Sequence, residues 1–170
     1  MKIAVRLFFL SVFILVLYLL WPSKALPDQV DPDRVLVYKS AYRLELWSQN
    51  QLLKTYRISL GQNPVGHKQF EGDSRTPEGR YTIDSKNPHS AYHLNLGISY
   101  PGPSDKQRAQ QAGKNPGSDI KIHGLRNGWG FIGKLHRLTN WTDGCIAVTN
   151  KEIEELYHAV DIGTPIEIKP

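Results

Sequence analysis

The sequence predicts a mostly β, α+β domain with two short helices, and three observations carry that expectation. Short runs rich in β-branched and aromatic residues recur along the chain. Several of them alternate apolar and polar residues with a period of two, the repeat that turns one face of a strand toward a core. Only two stretches of the exported part show helix-forming composition instead.

The first 25 residues stand apart from this pattern. Lys2 and Arg6 precede an apolar run from Leu7 to Trp21, broken only by Ser11, with no acidic residue, and Ser23 and Ala25 sit where an export signal carries its small cleavage-site residues. The run is shorter than the about 20 residues that span a bilayer comfortably, whereas counting from Ile3 lengthens it toward an N-terminal membrane anchor. Both readings deliver the rest of the chain across a membrane, to the periplasm or cell envelope. Residues 26–32 form a Pro/Asp-rich spacer, and residues 33–170 are expected to be one domain.

Without the first 25 residues, which hold three basic residues and no acid, 21 − 3 = 18 basic residues face 16 acidic ones. The excess is +2 instead of +5, with no basic run and no nucleic-acid motif, so nucleic acid is not an expected partner. The remaining chain is long enough to bury one core, and a single cysteine excludes an internal disulfide framework. The domain is expected to act as a monomer.

In chain order, "VLVYKS" and "YRLELWSQ" read as strands, with "NQ" turning the chain into a third, "LLKTYRISLG". "GRYTID" is a short strand. "AYHLNLGISYP" has the clearest period of two, with Tyr92, Leu94, Leu96, Ile98 and Tyr100 on one face, which predicts a half-buried strand. "SDKQRAQQAG" is helical in composition between Pro103 and Gly113, and "DIKIHG" alternates again. The second helix is "TNKEIEELYHAV", where Thr149 followed three residues later by Glu152 has the form of a capping box. "GTPIEIKP" closes with a strand.

The candidate chemistry lies in "KIHGLRNGWGFIGKLHRLTNWTDGCIAV". His123 ends an alternating strand just before Gly124, and Cys145 stands between Gly144 and Ile146, so both occupy strand–loop junctions. A thiol becomes a strong nucleophile as thiolate, and a neighbouring imidazole can take its proton and return it. Backbone N–H groups near Gly144 and Cys145 are the expected donors to an oxyanion. A free cysteine between Gly and Ile is also what a small buried hydrophobe looks like, but an idle accessible thiol is liable to oxidation in an exported protein. His89 and His93 have i, i+4 spacing, yet Pro88 and the strand pattern that follows argue against a helix there, and no metal site is expected. His136 lies in "GKLHRLTN", read as a polar loop able to place it in solvent.

These residues resemble the L,D-transpeptidase catalytic domain, the YkuD family. "KIHG" followed 22 positions after His123 by "TDGCIAV" matches that family's His-Gly and Ser/Thr-x-Gly-Cys motifs, and "SLGQNPVGHKQFEGDSRTPEGRYTI" and "LGISYP" fit in order. The resemblance implies a β-sandwich-like domain acting on peptidoglycan stem peptides, without metal or organic cofactor. It makes Cys145 the nucleophile and His123 the general base, with Thr142, Asp143 and Gly144 supplying contacts to the imidazole and the oxyanion. The thioester would pass to an amine in a transpeptidase, or to water in a carboxypeptidase or amidase. A non-catalytic murein-binding domain is a third reading, against which the intact Cys/His pair argues.

Two positions depart from the family. Asp143 stands where His is usual, and Ala147 where the family has an Arg two residues after the cysteine. Arg126 and Arg137 on the intervening loop are candidate replacements for that cation, with solvated loop charges as the alternative. Trp129, Phe131 and Trp141 are expected either to cover the stem peptide or to pack the loop onto the sheet.

Overall fold

Val35, Val37, Leu44 and Leu46 alternate along the first hairpin and all are fully buried, so β1 (Arg34–Tyr38) and β2 (Arg43–Ser48) form by placing one apolar face on the core. Gln49 and Asn50 then turn the chain, both with positive φ, as a two-residue hairpin requires. The turn lies one residue earlier than the "NQ" of the sequence reading. The third strand, β3 (Gln51–Arg57), completes this meander. The computed structural model describes residues 2–21, 24–27 and 30–170; Ser23 of the cleavage-site reading lies outside them.

The remaining strands are β4 (Gly79–Ser90), β5 (His93–Ile98), β6 (Lys121–His123), β7 (Ile146–Ala147) and β8 (Pro165–Lys169). They make one open, mixed eight-stranded sheet in the order β3-β2-β1-β8-β4-β5-β6-β7. The joint is β4, longer than its sequence suggested. Its first residues, Gly79–Thr82, pair with β8, and from Ile83 onward it pairs with β5 through two register shifts. Side chains from both halves, Val35, Leu44, Ile166, Leu96, Ile122 and Ile146 among them, fall in a single core cluster. The domain is therefore mostly β with sandwich-like packing, as expected, although the sheet does not close.

The two expected helices are α2 (Pro103–Gln111) and α3 (Asn150–Ala159), and α1 (Lys2–Leu20) precedes the domain. Among the described residues no helix is long and apolar enough to cross a membrane. The capping box of α3 is made: the Glu152 N–H donates to Thr149 Oγ1 and the Thr149 N–H donates to Glu152 Oε2 at 3.0 Å. One helical element was not anticipated. Gly130–Leu138 is two short 3-10 turns joined at Gly133, whose φ of 50° breaks them apart. Strand β5 also differs from a half-buried strand. Asn95 and Gly97 are buried together with Leu96 and Ile98, because β4 and β6 flank the strand and a side chain at Gly97 would strike Ser85.

Candidate active site

His123 and Cys145 come to one place because β6 and β7 are parallel neighbours. Ile122 pairs with Ile146 and His123 with Ala147, so Cys145, the residue before β7, stands one register step back from His123. Both side chains line one cavity of about 510 Å³. The turn that carries Cys145 is held from across the fold. Segment 58–62 runs beside residues 140–147: Ser59 and Ala147 exchange backbone hydrogen bonds of 2.9 and 2.8 Å, the Gln62 N–H donates to the Thr142 carbonyl at 2.9 Å, and the Leu60 N–H donates to Asn140 Oδ1 at 3.0 Å.

Inside the turn, Thr142 Oγ1 donates to the Cys145 carbonyl at 2.7 Å and accepts the Gly144 N–H at 3.2 Å. Gly144 has φ of 134°, and a Cβ there would lie 2.6 Å from the Arg75 carbonyl, so the close approach of this backbone admits only glycine. The Cys145 thiol donates to the Asp119 carbonyl at 3.6 Å, and Asp119 itself holds a left-handed φ of 69°.

His123 is 4% exposed. Its Nδ1–H donates to the Gly124 carbonyl at 2.7 Å, which leaves Nε2 as the nitrogen with a free lone pair. The imidazole packs against two rings that also touch each other: Tyr92 at 4.7 Å between centroids and Trp141 at 5.6 Å, edge-on, with 6.0 Å between those two. Burial holds its pKa down to about 4; the Gly124 carbonyl works against that shift and the Lys121 charge works with it. Burial pushes the Cys145 thiol up, opposed by a backbone hydrogen bond from Lys121 and by the Lys121 charge. A neutral thiol and a neutral imidazole thus line the same cavity, a pair able to pass one proton from sulfur to the ring once brought within hydrogen-bond reach.

The family model of the L,D-transpeptidase catalytic domain, YkuD, matches residues 32–168. The chain belongs to this family. YafK of Escherichia coli (strain K12), named as an L,D-transpeptidase, is 27% identical over 135 residues, 76% of this chain and 47% of YafK. YqjB of Bacillus subtilis (strain 168), named likewise, is 27% identical over 168 residues, 96% of this chain and 85% of YqjB. Among solved structures, the helical cell shape determining protein Pgp2 from Campylobacter jejuni aligns with a TM-score of 0.60 at 26% identity, over 80% of this chain and 47% of Pgp2. The chain spans about half the length of YafK and of Pgp2.

Several residues take other places in this L,D-transpeptidase domain than the sequence suggested. The N–H of Gly144 is occupied by Thr142 Oγ1 and so is not free for an oxyanion. The imidazole is oriented by the Gly124 carbonyl and two rings instead of by Thr142 or Asp143. Thr142 braces the turn, while Asp143 is exposed at the cavity and accepts from Gln62 Nε2 at 3.4 Å. Arg137 does not replace the missing family Arg: its guanidinium grips both Glu152 oxygens at 2.6 and 2.7 Å, and it does not line the cavity. Arg126 is exposed and also outside the cavity lining. Trp129 and Phe131 stack on each other at 6.2 Å, 53% and 83% exposed, away from the cavity, and only Trp141 of the three aromatics lines it. His136 is not in solvent; it is 7% exposed, because Gly130–Leu138 folds back on the domain. His89 and His93 stand on two different strands, and His93 Nε2 lies 2.7 Å from Glu154 Oε1.

Sequence reasoning missed Tyr92, Asn95, Asp119 and Lys121, which line the cavity. Lys121 was within reach, since it lies two residues before His123 on an alternating strand and therefore shares its face. Asn95 pairs directly with His123 across β5 and β6, a register that no local pattern shows. Ala147 is fully buried between His123 and Ser59, so no cation reaches the cavity from that position; the cavity's own cations are Lys68, paired with Asp73, and Lys121, paired with Asp119.

Proposed function

We propose that this protein is an exported enzyme of the cell envelope that attacks peptidoglycan stem peptides with Cys145 and holds the acyl group as a thioester. The observation that carries the reading is that Cys145 and His123 line one cavity, with His123 Nδ1 tied to the Gly124 carbonyl so that Nε2 keeps its lone pair. Family membership and the names of YafK, YqjB and Pgp2 support the substrate class and the envelope location.

The thiol turns from the Asp119 carbonyl toward His123. Nε2 takes the Sγ proton as sulfur bonds to the stem-peptide carbonyl carbon, and the oxyanion forms against the Cys145 N–H, because the Gly144 N–H is engaged. Collapse breaks the peptide bond, and the proton on Nε2 passes to the leaving amine. An acceptor amine then attacks the thioester, giving its proton to Nε2, which returns it to sulfur. Asn95, opposite His123 in the cavity, offers an amide for the peptide backbone of the substrate.

A second reading uses water as the acceptor, making the enzyme a carboxypeptidase or amidase. It is favoured by the exposed position of Trp129 and Phe131, which leaves Trp141 as the only aromatic of that loop at the cavity. One experiment tests both. The domain is incubated with a tetrapeptide muropeptide and an isotopically marked acceptor stem, and wild type is compared with Cys145→Ala by intact mass and product mass. An acyl adduct and a cross-linked dimer, both absent in Cys145→Ala, are expected. Tripeptide alone at every acceptor concentration assigns the hydrolytic reading, and equal labelling of wild type and Cys145→Ala refutes the nucleophile. A carbapenem serves as the acylating probe if the muropeptide adduct turns over too fast to be seen.

A further inference from the structure

Trp141 and His136 make a continuous packed path from the base to the scaffold. The Trp141 indole stands edge-on to His123 at 5.6 Å and packs near Tyr92 at 6.0 Å, so the three rings form one mutual cluster in which each touches the other two. Behind it, His136 meets the indole at 6.4 Å and 86°, and Trp141 Nε1–H donates to His136 Nδ1 at 3.5 Å. His136 is in turn fixed by Ser59, whose Oγ donates to the His136 carbonyl at 3.0 Å and lies 3.3 Å from Nδ1. Ser59 belongs to the segment that zips onto Ala147, two residues beyond the nucleophile.

The chemistry of His136 asks for an explanation. Among the described residues its Nε2 is buried without a partner, and it does not line the cavity. A leucine or phenylalanine would fill such a place without leaving a buried polar atom unsatisfied, so an imidazole there must be used on its other side. That side faces the indole N–H, a donor that needs a partner when it is buried. The length of this bond, 3.5 Å, makes it a steering contact more than a strong one. A general base must hold its lone pair within hydrogen-bond reach of the proton it takes, and a ring held by only one hydrogen bond can still tilt about it.

We infer that Trp141 and His136 are positioning residues, His136 setting the Trp141 indole through its N–H and the indole, together with Tyr92, packing against the His123 imidazole so that Nε2 is presented toward Cys145. The inference rests on the proposed role of His123 as the base.

The test follows His123 by nitrogen-resolved NMR in His136→Leu, His136→Asn and Trp141→Leu, alongside kcat and KM for tetrapeptide turnover. Wild type is expected to show one His123 tautomer, protonated at Nδ1. His136→Leu and Trp141→Leu are expected to mix the tautomers and to lower kcat by about tenfold or more while KM changes less than about twofold. His136→Asn, which keeps an acceptor in the place of Nδ1, is expected to recover most of both. A single tautomer with kcat near wild type in both leucine variants overturns the inference, as does a loss confined to KM, which would make Trp141 a substrate contact. If a leucine variant does not fold, Trp141→Phe, lacking only the indole N–H, takes its place: tautomer mixing supports the inference and a single tautomer overturns it. An inactive wild type would refute the proposed function, while the NMR comparison would still decide the positioning.

Discussion

Burial governs the chemistry of the individual residues more than any ion pair does. His123 has its pKa lowered to about 4 mainly because the charged ring is costly in a dry site. A base acts when it is deprotonated, so in its proposed role His123 is competent at every pH above that value. The acid limb of kcat/KM for tetrapeptide turnover is therefore expected near pH 4, well below the about 6.5 of an exposed imidazole. A pH–rate profile of the wild type decides this, and a limb near 6.5 would show that the resting imidazole is solvated. Gly144 acts at the same scale. Its positive φ and its lack of a side chain, which would strike the Arg75 carbonyl, let the turn that carries Cys145 lie close to Gly61 and Arg75, and its N–H is spent on Thr142.

At the scale of elements, the Gly130–Leu138 turns and α3 are tied together through one carboxylate. Glu152 caps its own helix by accepting from Thr149 and also receives both bonds from Arg137, with the two side chains nearly buried at 10% and 7% exposure. Removing one member strands the other charge in a poorly hydrated place. Arg137→Ala is expected to destabilise the fold by about 3 kcal/mol, the range for a broken buried pair. Arg126→Ala, on an exposed loop position, should change stability by less than about 0.5 kcal/mol. Denaturant unfolding of the two variants checks this, and equal stabilities would mean that the Arg137–Glu152 pair is solvated. Because His136 and Arg137 are adjacent, this pair also helps hold the element that carries the inferred support of His123.

For the whole molecule, three imidazoles, His67, His123 and His136, are harder to protonate in the folded chain than in the unfolded one, in each case first because of burial. The unfolded chain then binds more protons wherever the pH lies below its value of about 6.5 and above the lowered folded values, which are about 4 for His123 and His136. The contribution of these imidazoles to stability is thus fully present above about pH 6.5 and is lost as the pH falls toward 4. Thermal melts across that window should show Tm falling with pH, and falling less steeply in His136→Asn, which removes one of the three groups. A Tm that is flat between these values in the wild type would contradict the burial of the imidazoles.

What the sequence by itself determined is local in origin. Strand periodicity, the Thr149–Glu152 capping box, the composition of α2 and the ordered His-Gly and Gly-Cys motifs lie within short windows, and each is written in residues close enough to be read together. They were enough for the fold class and for the two helices of the domain, and they singled out His123 and Cys145, which the fold brings to one cavity. What only the tertiary structure decided is the direction of side chains on the loop between them. Arg137 turned to Glu152, Trp129 and Phe131 turned outward, His136 turned inward, and Tyr92, just ahead of β5, reached the cavity. Those outcomes depend on contacts such as Leu60 with Asn140, 80 residues apart, and on the β5–β6–β7 register. A one-residue slip in that register would send every side chain to the opposite face, and no pattern within a single strand specifies which neighbour it will meet.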